Sequence, residues 1–301
     1  MSDQLTGVVV PMITPLTEDG RLDRASVHRM VDFLIDGGVH GIFILGSIGE
    51  GAVLLPSVRH ELAELTVEAA AGRVPVIAGV LESSTSRVVD EVRALSGRGL
   101  SGYVATTPFY FGGFNNSELH GHFSRIAEAA DLPVLLYNIP VNTKVVLPAD
   151  LALKLADEPN IIGIKDSSGD WAQVQTLLLN RRPGFLVFQG NQSLCAISLL
   201  AGADGLVPGH ANVWPQLLVN LTEAARKGDR DAAFSYQSCL DNLVRLRGRA
   251  GVHSFKLIAK KMGLIEGDYV SSPLPRASAE ESQSLLRGSI ALGLPVPGGA
   301  F

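Results

Sequence analysis

Residues 160–170 read N-I-I-G-I-K-D-S-S-G-D, an apolar run that ends in a lysine and is followed by a turn. Ile161, Ile162 and Ile164 predict a short strand buried on both faces, because they do not alternate with polar residues. The Asp-Ser-Ser-Gly sequence that follows supplies turn residues. The pattern therefore places Lys165 at the carboxyl end of a core strand.

Two interpretations of Lys165 are open from this stretch alone. Partial removal from water favours the neutral amine, which is the form that attacks a carbonyl carbon near neutral pH. Alternatively, the side chain runs its methylene groups along the strand end and keeps its charge in solvent. The rest of the chain favours the first interpretation.

Short β-branched runs alternate with longer helical patterns through residues 7–227, which is the order typical of βαβ units. The predicted strands are residues 7–14, 40–45, 75–80, 102–107, 133–138, the run that ends at Lys165, 185–189 and 204–207. The predicted helices are residues 23–36, 56–71, 84–97, 117–130, 148–156, 171–180, 193–201 and 214–227. Eight βα units predict a (β/α)8 TIM barrel of the α/β class, since an open doubly wound sheet is usually shorter or interrupted by a second domain.

Three more helical patterns follow at residues 229–247, 252–262 and 279–292. Glycines and a Ser-Ser-Pro-Leu-Pro stretch separate them from one another. We therefore predict a barrel over residues 1–227 and a C-terminal helical region over residues 228–301.

Composition excludes several classes of protein. The chain has 301 residues, 46% hydrophobic and 18% charged, so it can bury a large core. A net charge of -5 without a lysine or arginine run argues against a nucleic-acid partner. The first residues lack a basic and then apolar leader, and no apolar run approaches the roughly 18 residues that span a membrane. These features predict a cytoplasmic protein without a membrane segment.

Cysteines and histidines show no metal-binding spacing. Cys195 and Cys239 are too few for a disulfide framework and lie in apolar helical patterns, so they are predicted to be core or near-core thiols. His120 and His122 lie two apart on a predicted helix and therefore face different directions. His210 follows the eighth strand without an identifiable partner. No metal and no cofactor is expected.

The carboxyl ends of the strands are where barrels of this kind place their working residues. The second strand ends in G-S-I-G-E-G at residues 46–51, where glycines let backbone N–H groups converge and Ser47 adds a hydroxyl. Such a loop is suited to hold a small carboxylate, although an ordinary strand-to-helix turn is the alternative. Its glycine spacing fits neither a P-loop nor a dinucleotide site. Glu50 is expected to serve hydrogen bonds within the loop.

Two aromatic motifs stand at neighbouring strand ends. The fifth strand ends in Y-N-I-P at residues 137–140, so Tyr137 is either a phenol that passes protons to and from an imine or a tyrosine of the rim. The fourth strand leads into T-P-F-Y at residues 107–110. This aromatic loop has three open roles: shaping the pocket, donating a second hydroxyl, or packing against a neighbouring subunit.

With G-S-I-G-E, T-P-F-Y, Y-N-I-P and G-I-K-D in this order, the chain resembles the dihydrodipicolinate synthase and N-acetylneuraminate lyase family over nearly its whole length. The resemblance implies that Lys165 forms a Schiff base with pyruvate or another 2-oxo acid. It also implies that Tyr137 shuttles protons and that Tyr110 completes a proton relay across a subunit contact. Members of the family are typically tetramers assembled from dimers and need no metal, so a homotetramer is expected.

The resemblance assigns substrate-binding groups as well. Ser47 and the N–H of Ile48 would hold the carboxylate of the 2-oxo acid, and the carbonyl oxygen of Val207 would face it. Asn142 stands where the lysine-biosynthetic synthases carry an arginine for the second substrate's carboxylate. A neutral amide cannot supply the bidentate, charged contact of a guanidinium. Lys144 is either a solvated rim charge or a contact for a distal anionic group.

These departures favour an aldolase that releases pyruvate from 4-hydroxy-2-oxo acids. Asn142-Thr143 resembles the 4-hydroxy-2-oxoglutarate aldolases, and Pro56 and Arg59 replace the histidines of the lysine-inhibition site in regulated synthases. A 2-keto-3-deoxy sugar acid dehydratase and 4-hydroxy-tetrahydrodipicolinate synthase are the alternatives.

A non-catalytic 2-oxo acid binding protein is an alternative from a different class. The presence of both Lys165 and Tyr137 argues against it. Recognition of the distal half of the substrate is expected in loops such as 111–116 and 190–193.

Overall fold

Eight parallel strands form a closed barrel in the computed structural model of the chain, which describes residues 5–246 and 251–292. The strands are β1 (Gly7–Pro11), β2 (Gly41–Ile44), β3 (Val76–Gly79), β4 (Gly102–Thr106), β5 (Val134–Asn138), β6 (Ile161–Asp166), β7 (Leu186–Gln189) and β8 (Gly205–Leu206). The barrel closes because β8 pairs with both β7 and β1. The prediction of a (β/α)8 barrel is confirmed.

Helices cover the outside of the barrel and continue beyond it. They are α1 (Arg24–Asp36), α2 (Pro56–Ala70), α3 (Thr85–Leu95), α4 (Asn116–Ala129), α5 (Pro140–Thr143), α6 (Ala149–Leu155), α7 (Trp171–Asn180), α8 (Cys195–Leu200), α9 (Pro215–Arg226), α10 (Arg230–Leu246), α11 (Val252–Lys261) and α12 (Ala279–Ala291). Two short 3-10 helices, Gln192–Leu194 and Gly209–Asn212, follow β7 and β8.

The structure differs from the sequence prediction in two places near strand ends. The one-turn helix α5 follows β5 directly and is too short to show a helical period in the sequence. β1 ends at Pro11 and not at Thr14, because Ile13 and Thr14 bond to loops. Ile13 N donates to Asn212 Oδ1 at 2.8 Å, and Thr14 Oγ1 donates to the Gly49 carbonyl at 2.7 Å.

Alternating strand positions divide the core into two layers. Val9, Phe43 and Val104 are among the side chains that fill the barrel interior, and Tyr137 belongs to the same layer. The larger layer lies between the strands and the surrounding helices. Tyr137 therefore points into the barrel near the carboxyl end of β5, close to the open end of the barrel.

The C-terminal helices share the outer layer of the core. Leu240 and Leu243 of α10 and Phe255 of α11 belong to the same hydrophobic cluster as the barrel's outer face. The division of the chain at residue 227 stays a prediction. Cys195 is buried, Cys239 is half-buried, and both are free, as expected of one core and one near-core thiol. Among residues 5–246 and 251–292, no helix combines the length and the apolar character that crossing a bilayer requires.

Candidate active site

Lys165 lies inside the barrel mouth and not in solvent. In the sheet it is paired with Tyr137 on β5 and with Phe188 on β7, and only 4% of its surface is exposed. Its Nζ lies 3.8 Å from the ring centroid of Tyr137 and 4.9 Å from that of Phe43. The sequence interpretation in which this lysine reaches solvent is therefore wrong.

Burial decides the protonation of this amine. Desolvation lowers the pKa of Lys165, while the Coulombic interaction and the hydrogen bond with Tyr137 oppose the shift without cancelling it. The direction follows from the cost of keeping an ammonium in an apolar enclosure. A neutral amine with a free electron pair is thus more accessible near neutral pH than in an ordinary lysine.

The amine opens into a cavity of about 400 Å³ at the carboxyl end of the barrel. Its described lining residues are Pro11, Ser47, Ile48, Tyr137, Ile139, Val141, Asn142, Lys165, Ser167, Gly190, Asn191, Gln192, Ser193, Val207, Gly209 and Val244. Lys165 is the only charged side chain among these described residues. Hydroxyls and side-chain amides supply the remaining polarity, which suits a small oxygen-rich ligand with one anionic end.

Gly190, the residue after β7, has no side chain, and Lys165 lies against it in the space that a side chain would fill. A Cβ atom at this position would overlap Ser167 Oγ and would lie 3.0 Å from Lys165 Cε. The backbone has little freedom to move away, because Gly190 N donates to the Asp166 carbonyl at 2.7 Å. The sequence prediction does not include Gly190, since its proximity to Lys165 depends on the pairing of β6 with β7.

Asp166, next to the lysine, fixes the end of β6. Its buried carboxylate accepts hydrogen bonds from Asn138 Nδ2 at 2.7 Å, Ser168 Oγ at 2.6 Å and Gln173 Nε2 at 2.6 Å. These bonds tie β6 to β5 and to α7. Asp166 is a second site residue that the sequence prediction lacks; its place in the turn after Lys165 was the available signal.

The glycine loop and α5 meet across the cavity. Asn142 Nδ2 donates to Ser47 Oγ at 3.2 Å, so the predicted carboxylate-binding hydroxyl and the predicted arginine replacement are in contact. Ile48 and Val207 complete this side of the cavity. The predicted residues Lys165, Tyr137, Ser47, Ile48, Asn142 and Val207 are therefore brought together in one chain.

A sequence model of the Dihydrodipicolinate synthetase family matches residues 4–288. The chain belongs to this family.

Relatives and solved structures of the family agree over most of the chain. The 4-hydroxy-tetrahydrodipicolinate synthase of Xylella fastidiosa is 39% identical over 76% of this chain and 75% of its own length. That of Azoarcus sp. is 35% identical over 87% of this chain and 90% of its own. The crystal structure of Escherichia coli K12 YagE in complex with pyruvate matches with a TM-score of 0.92 and 30% identity, covering 97% and 99% of the two chains. As a member of the dihydrodipicolinate synthetase family, the chain is an enzyme, a lyase of the class I aldolase type, as predicted.

Tyr110, which the family resemblance assigns to a proton relay, and Lys144, whose role the sequence leaves open, are not among the described lining residues of this cavity. Tyr110 is 87% exposed, adopts a left-handed backbone with φ of 81°, and packs edge-on against Phe111 in the loop after β4. Its place in a proton relay stays a prediction. Lys144 is exposed, and its Nζ donates to the Val141 carbonyl at 2.6 Å, so its amine serves its own turn.

Two expectations about neighbouring residues need correction. His210 does have a partner: it is buried, its Nδ1 contacts Gln192 Oε1, and its ring stacks on Trp214 at 6.3 Å. Gln192, its hydrogen-bond partner, lines the cavity. Glu50 serves its own loop only through its backbone N–H, which donates to the Ser47 carbonyl; its buried carboxylate pairs instead with Lys256 of α11. In the part of the chain that the structure describes, no cluster of three or more His, Cys, Asp or Glu side chains is arranged to hold a metal ion.

Proposed function

We propose that the chain is a Schiff-base lyase that binds pyruvate covalently through Lys165 and carries out the reaction of a 4-hydroxy-tetrahydrodipicolinate synthase. The observation that supports this proposal is the buried amine of Lys165, packed against Tyr137 in a cavity whose other described lining residues are uncharged. An isolated buried amine of this kind is suited to attack a carbonyl carbon.

The proposed reaction begins when the neutral Lys165 amine attacks the C2 carbonyl carbon of pyruvate. Loss of water gives a protonated imine, which draws electrons from the methyl carbon so that one methyl proton leaves and an enamine forms. The enamine carbon then attacks the carbonyl carbon of an aldehyde, whose oxygen gains a proton, and the imine forms again at C2. Addition of an amine or of water to this C2 carbon breaks the bond to Lys165, releases the product and returns the free amine. Tyr137, beside the amine, is the proposed carrier of these protons, and Ser47 with the N–H of Ile48 is proposed to hold the pyruvate carboxylate.

The names of the relatives favour the synthase over the aldolase that the sequence features place first. Both relatives are 4-hydroxy-tetrahydrodipicolinate synthases, and the solved YagE structure contains pyruvate. The tetrahydrodipicolinate product is a ring that contains nitrogen and carries two carboxylates. Pyruvate supplies only one of these carboxylates and no nitrogen. The second substrate of this reaction is therefore an amino-acid semialdehyde.

A pyruvate-releasing aldolase is the second candidate, and Asn142 is the observation that favours it. This neutral amide occupies the mouth of the cavity and bonds to Ser47, and no arginine lies among the described lining residues. A second substrate with a carboxylate thus meets amides and hydroxyls instead of a guanidinium. A 4-hydroxy-2-oxo acid passes through the same imine and enamine in the reverse direction.

We also propose that neighbouring copies of the chain associate through the loop that carries Tyr110. Tyr110, Phe111, Leu55 and Val141 are large hydrophobic side chains that this chain leaves exposed. Their burial between copies would account for this exposure and would place Tyr110 near another cavity. The homotetramer stays the expected assembly, and sedimentation of the purified protein measures it.

Borohydride trapping tests the covalent step. Incubation with pyruvate and borohydride should leave a single 1-carboxyethyl group on Lys165, located by peptide mass spectrometry. Lys165→Met, which keeps a long unbranched side chain, is the matched control and should remain unmodified. An unmodified Lys165 in the wild-type protein would refute the Schiff base.

Product analysis separates the remaining reactions. Consumption of an amino-acid semialdehyde together with pyruvate identifies the synthase. Release of pyruvate from 4-hydroxy-2-oxo acids identifies the aldolase, and loss of water from 2-keto-3-deoxy sugar acids without pyruvate release identifies the dehydratase.

A further inference from the structure

A fully buried ion pair joins the glycine loop of residues 46–51 to the C-terminal region. Glu50 of the loop and Lys256 of α11 are in direct contact, and both side chains are 0% exposed. The second carboxylate oxygen of Glu50 accepts a hydrogen bond from Ser271 N at 2.6 Å, across 221 residues of sequence. Lys256 Nζ also donates to the Tyr269 carbonyl at 2.6 Å. Both charges are thus held by groups of the C-terminal region.

Stability alone does not account for this pair. Taking two charges out of water is costly, and well-packed apolar residues of similar volume often stabilise a protein equally well or better. What an ion pair adds over an apolar contact is direction, because the carboxylate must face the ammonium and the backbone donor at once. The ion pair therefore restricts the orientation of the Glu50 carboxylate more than an apolar contact at the same position would.

A backbone hydrogen bond of the loop connects Glu50 to Ser47. Glu50 has a left-handed backbone with φ of 61°, and its N–H donates to the Ser47 carbonyl at 3.3 Å. Gly51 N closes the same turn by donating to the Gly46 carbonyl at 3.1 Å. A side chain other than glycine in this conformation is strained, so the surrounding contacts have to maintain it. Among those contacts, the pair with Lys256 joins two oppositely charged side chains.

A second contact from α11 reaches the same part of the cavity. Phe255, which precedes Lys256, lies edge-on to His210 at 5.1 Å between ring centroids. A Cβ atom placed on Gly209 would meet the Phe255 ring at 3.0 Å and Ile48 Cδ1 at 3.4 Å, so these groups are packed around one point. α11 thus packs beside Gly209, which Ile48 also approaches, in addition to pairing with Glu50.

We propose that Lys256 is a positioning residue: it holds Glu50, and through Glu50 it orients Ser47 and the N–H of Ile48 toward the carboxylate of the 2-oxo acid. This inference rests on the proposed function, because it takes these two groups as the carboxylate site. On this proposal, the C-terminal helical region helps to position the groups that bind the carboxylate.

Three variants separate positioning from stability: Lys256→Met, Glu50→Gln and the double variant with both changes. Each single variant leaves one buried charge unpaired and should lower the melting temperature, whereas the double variant removes both charges and should recover much of it. The measured quantity is the initial rate of borohydride-trapped Lys165 adduct as a function of pyruvate concentration. This gives the half-saturating concentration and the limiting rate.

We expect the double variant to need about tenfold more pyruvate for half-saturation, the loss expected when a hydrogen bond to a charged carboxylate is misaligned. Its limiting rate should stay within about threefold of wild type, because the amine and its surroundings are unchanged. A double variant that recovers its melting temperature and saturates at the wild-type pyruvate concentration would overturn the proposal. The double variant decides the question even when a single variant does not fold.

Lys260→Met is the matched control on the same helix. Lys260 lies one turn beyond Lys256, its side chain is 46% exposed, and its Nζ bonds to Asp268 at 3.0 Å. It should keep the wild-type half-saturating concentration, and an equal increase in this control would also overturn the proposal. If the wild-type protein is not trapped by pyruvate, the proposed function fails and this inference fails with it. If the wild type is trapped and the double variant behaves like it, only this inference fails.

Discussion

Gly190→Ala tests whether the space beside Lys165 is required for the reaction. The added Cβ would lie 3.0 Å from Lys165 Cε and 3.1 Å from the Asp166 carbonyl oxygen. Carbon atoms in contact are about 3.5–4.0 Å apart, so the lysine has to move by roughly half an ångström or more. Because the Gly190 N–H is bonded to Asp166, the lysine side chain and not the backbone is expected to yield. A displacement of about 1 Å at a reacting group costs on the order of 100-fold in rate.

The assay is the rate of trapped adduct with pyruvate and borohydride, and we expect it to fall by about ten- to 100-fold. Gly121→Ala is the control, since a Cβ there meets nothing within 4 Å and Gly121 lies within α4. The new methyl group would also overlap Ser167 Oγ. In a Gly190→Ala, Ser167→Ala double variant that overlap is gone, and the loss of rate should persist. A Gly190→Ala protein that reacts at the wild-type rate, or a double variant that recovers it, would refute the role assigned to this space.

Other changes around the lysine have equally definite expected outcomes. Tyr137→Phe should lower kcat by about two to four orders of magnitude, the usual contribution of a positioned proton carrier, and an unchanged kcat would mean that the phenol carries no proton. Because burial lowers the pKa of Lys165, the neutral amine persists at lower pH than for an ordinary lysine, so adduct formation should be half-maximal below the ordinary value of 10.5. Phe43→Ala removes an apolar wall beside Nζ and should move that midpoint upward in the same pH series, since water stabilises the ammonium; a fixed midpoint would show that this ring does not desolvate the amine. Asn142→Arg should reduce the half-saturating concentration of a carboxylate-bearing aldehyde about tenfold by adding a bidentate donor, and an unaltered concentration would place that carboxylate elsewhere.

The family relationship and the local geometry address different aspects of specificity. Relatives named 4-hydroxy-tetrahydrodipicolinate synthase favour a condensation, whereas the amide of Asn142 favours a substrate without a carboxylate at that point. The Asn142→Arg variant is informative for this reason. It changes a group in which the cavity departs from the pattern that the resemblance implies for the synthases.

The amino-acid sequence by itself determined the order of the eight strands and of the longer helices, and the place of Lys165 at a strand end. These features depend on local periods: residues such as Ile161 and Ile164 predict a strand within a few positions, and glycine and serine mark where it stops. Lys165 and Tyr137 could be assigned to the same end of the barrel because parallel strands bring their carboxyl ends together. The four motifs in this order also identify the family.

Only the tertiary structure decided which distant groups meet those residues. Glu50 pairs with Lys256 and bonds to Ser271, and Gly190 leaves room for Lys165, although no local pattern connects these positions. The choice of an ion-pair partner or of an open space depends on how elements far apart in the chain pack together. Hydrophobic periodicity indicates that one face of an element is buried, but it does not indicate which other element covers that face. Such long-range contacts can therefore be identified only in the folded structure.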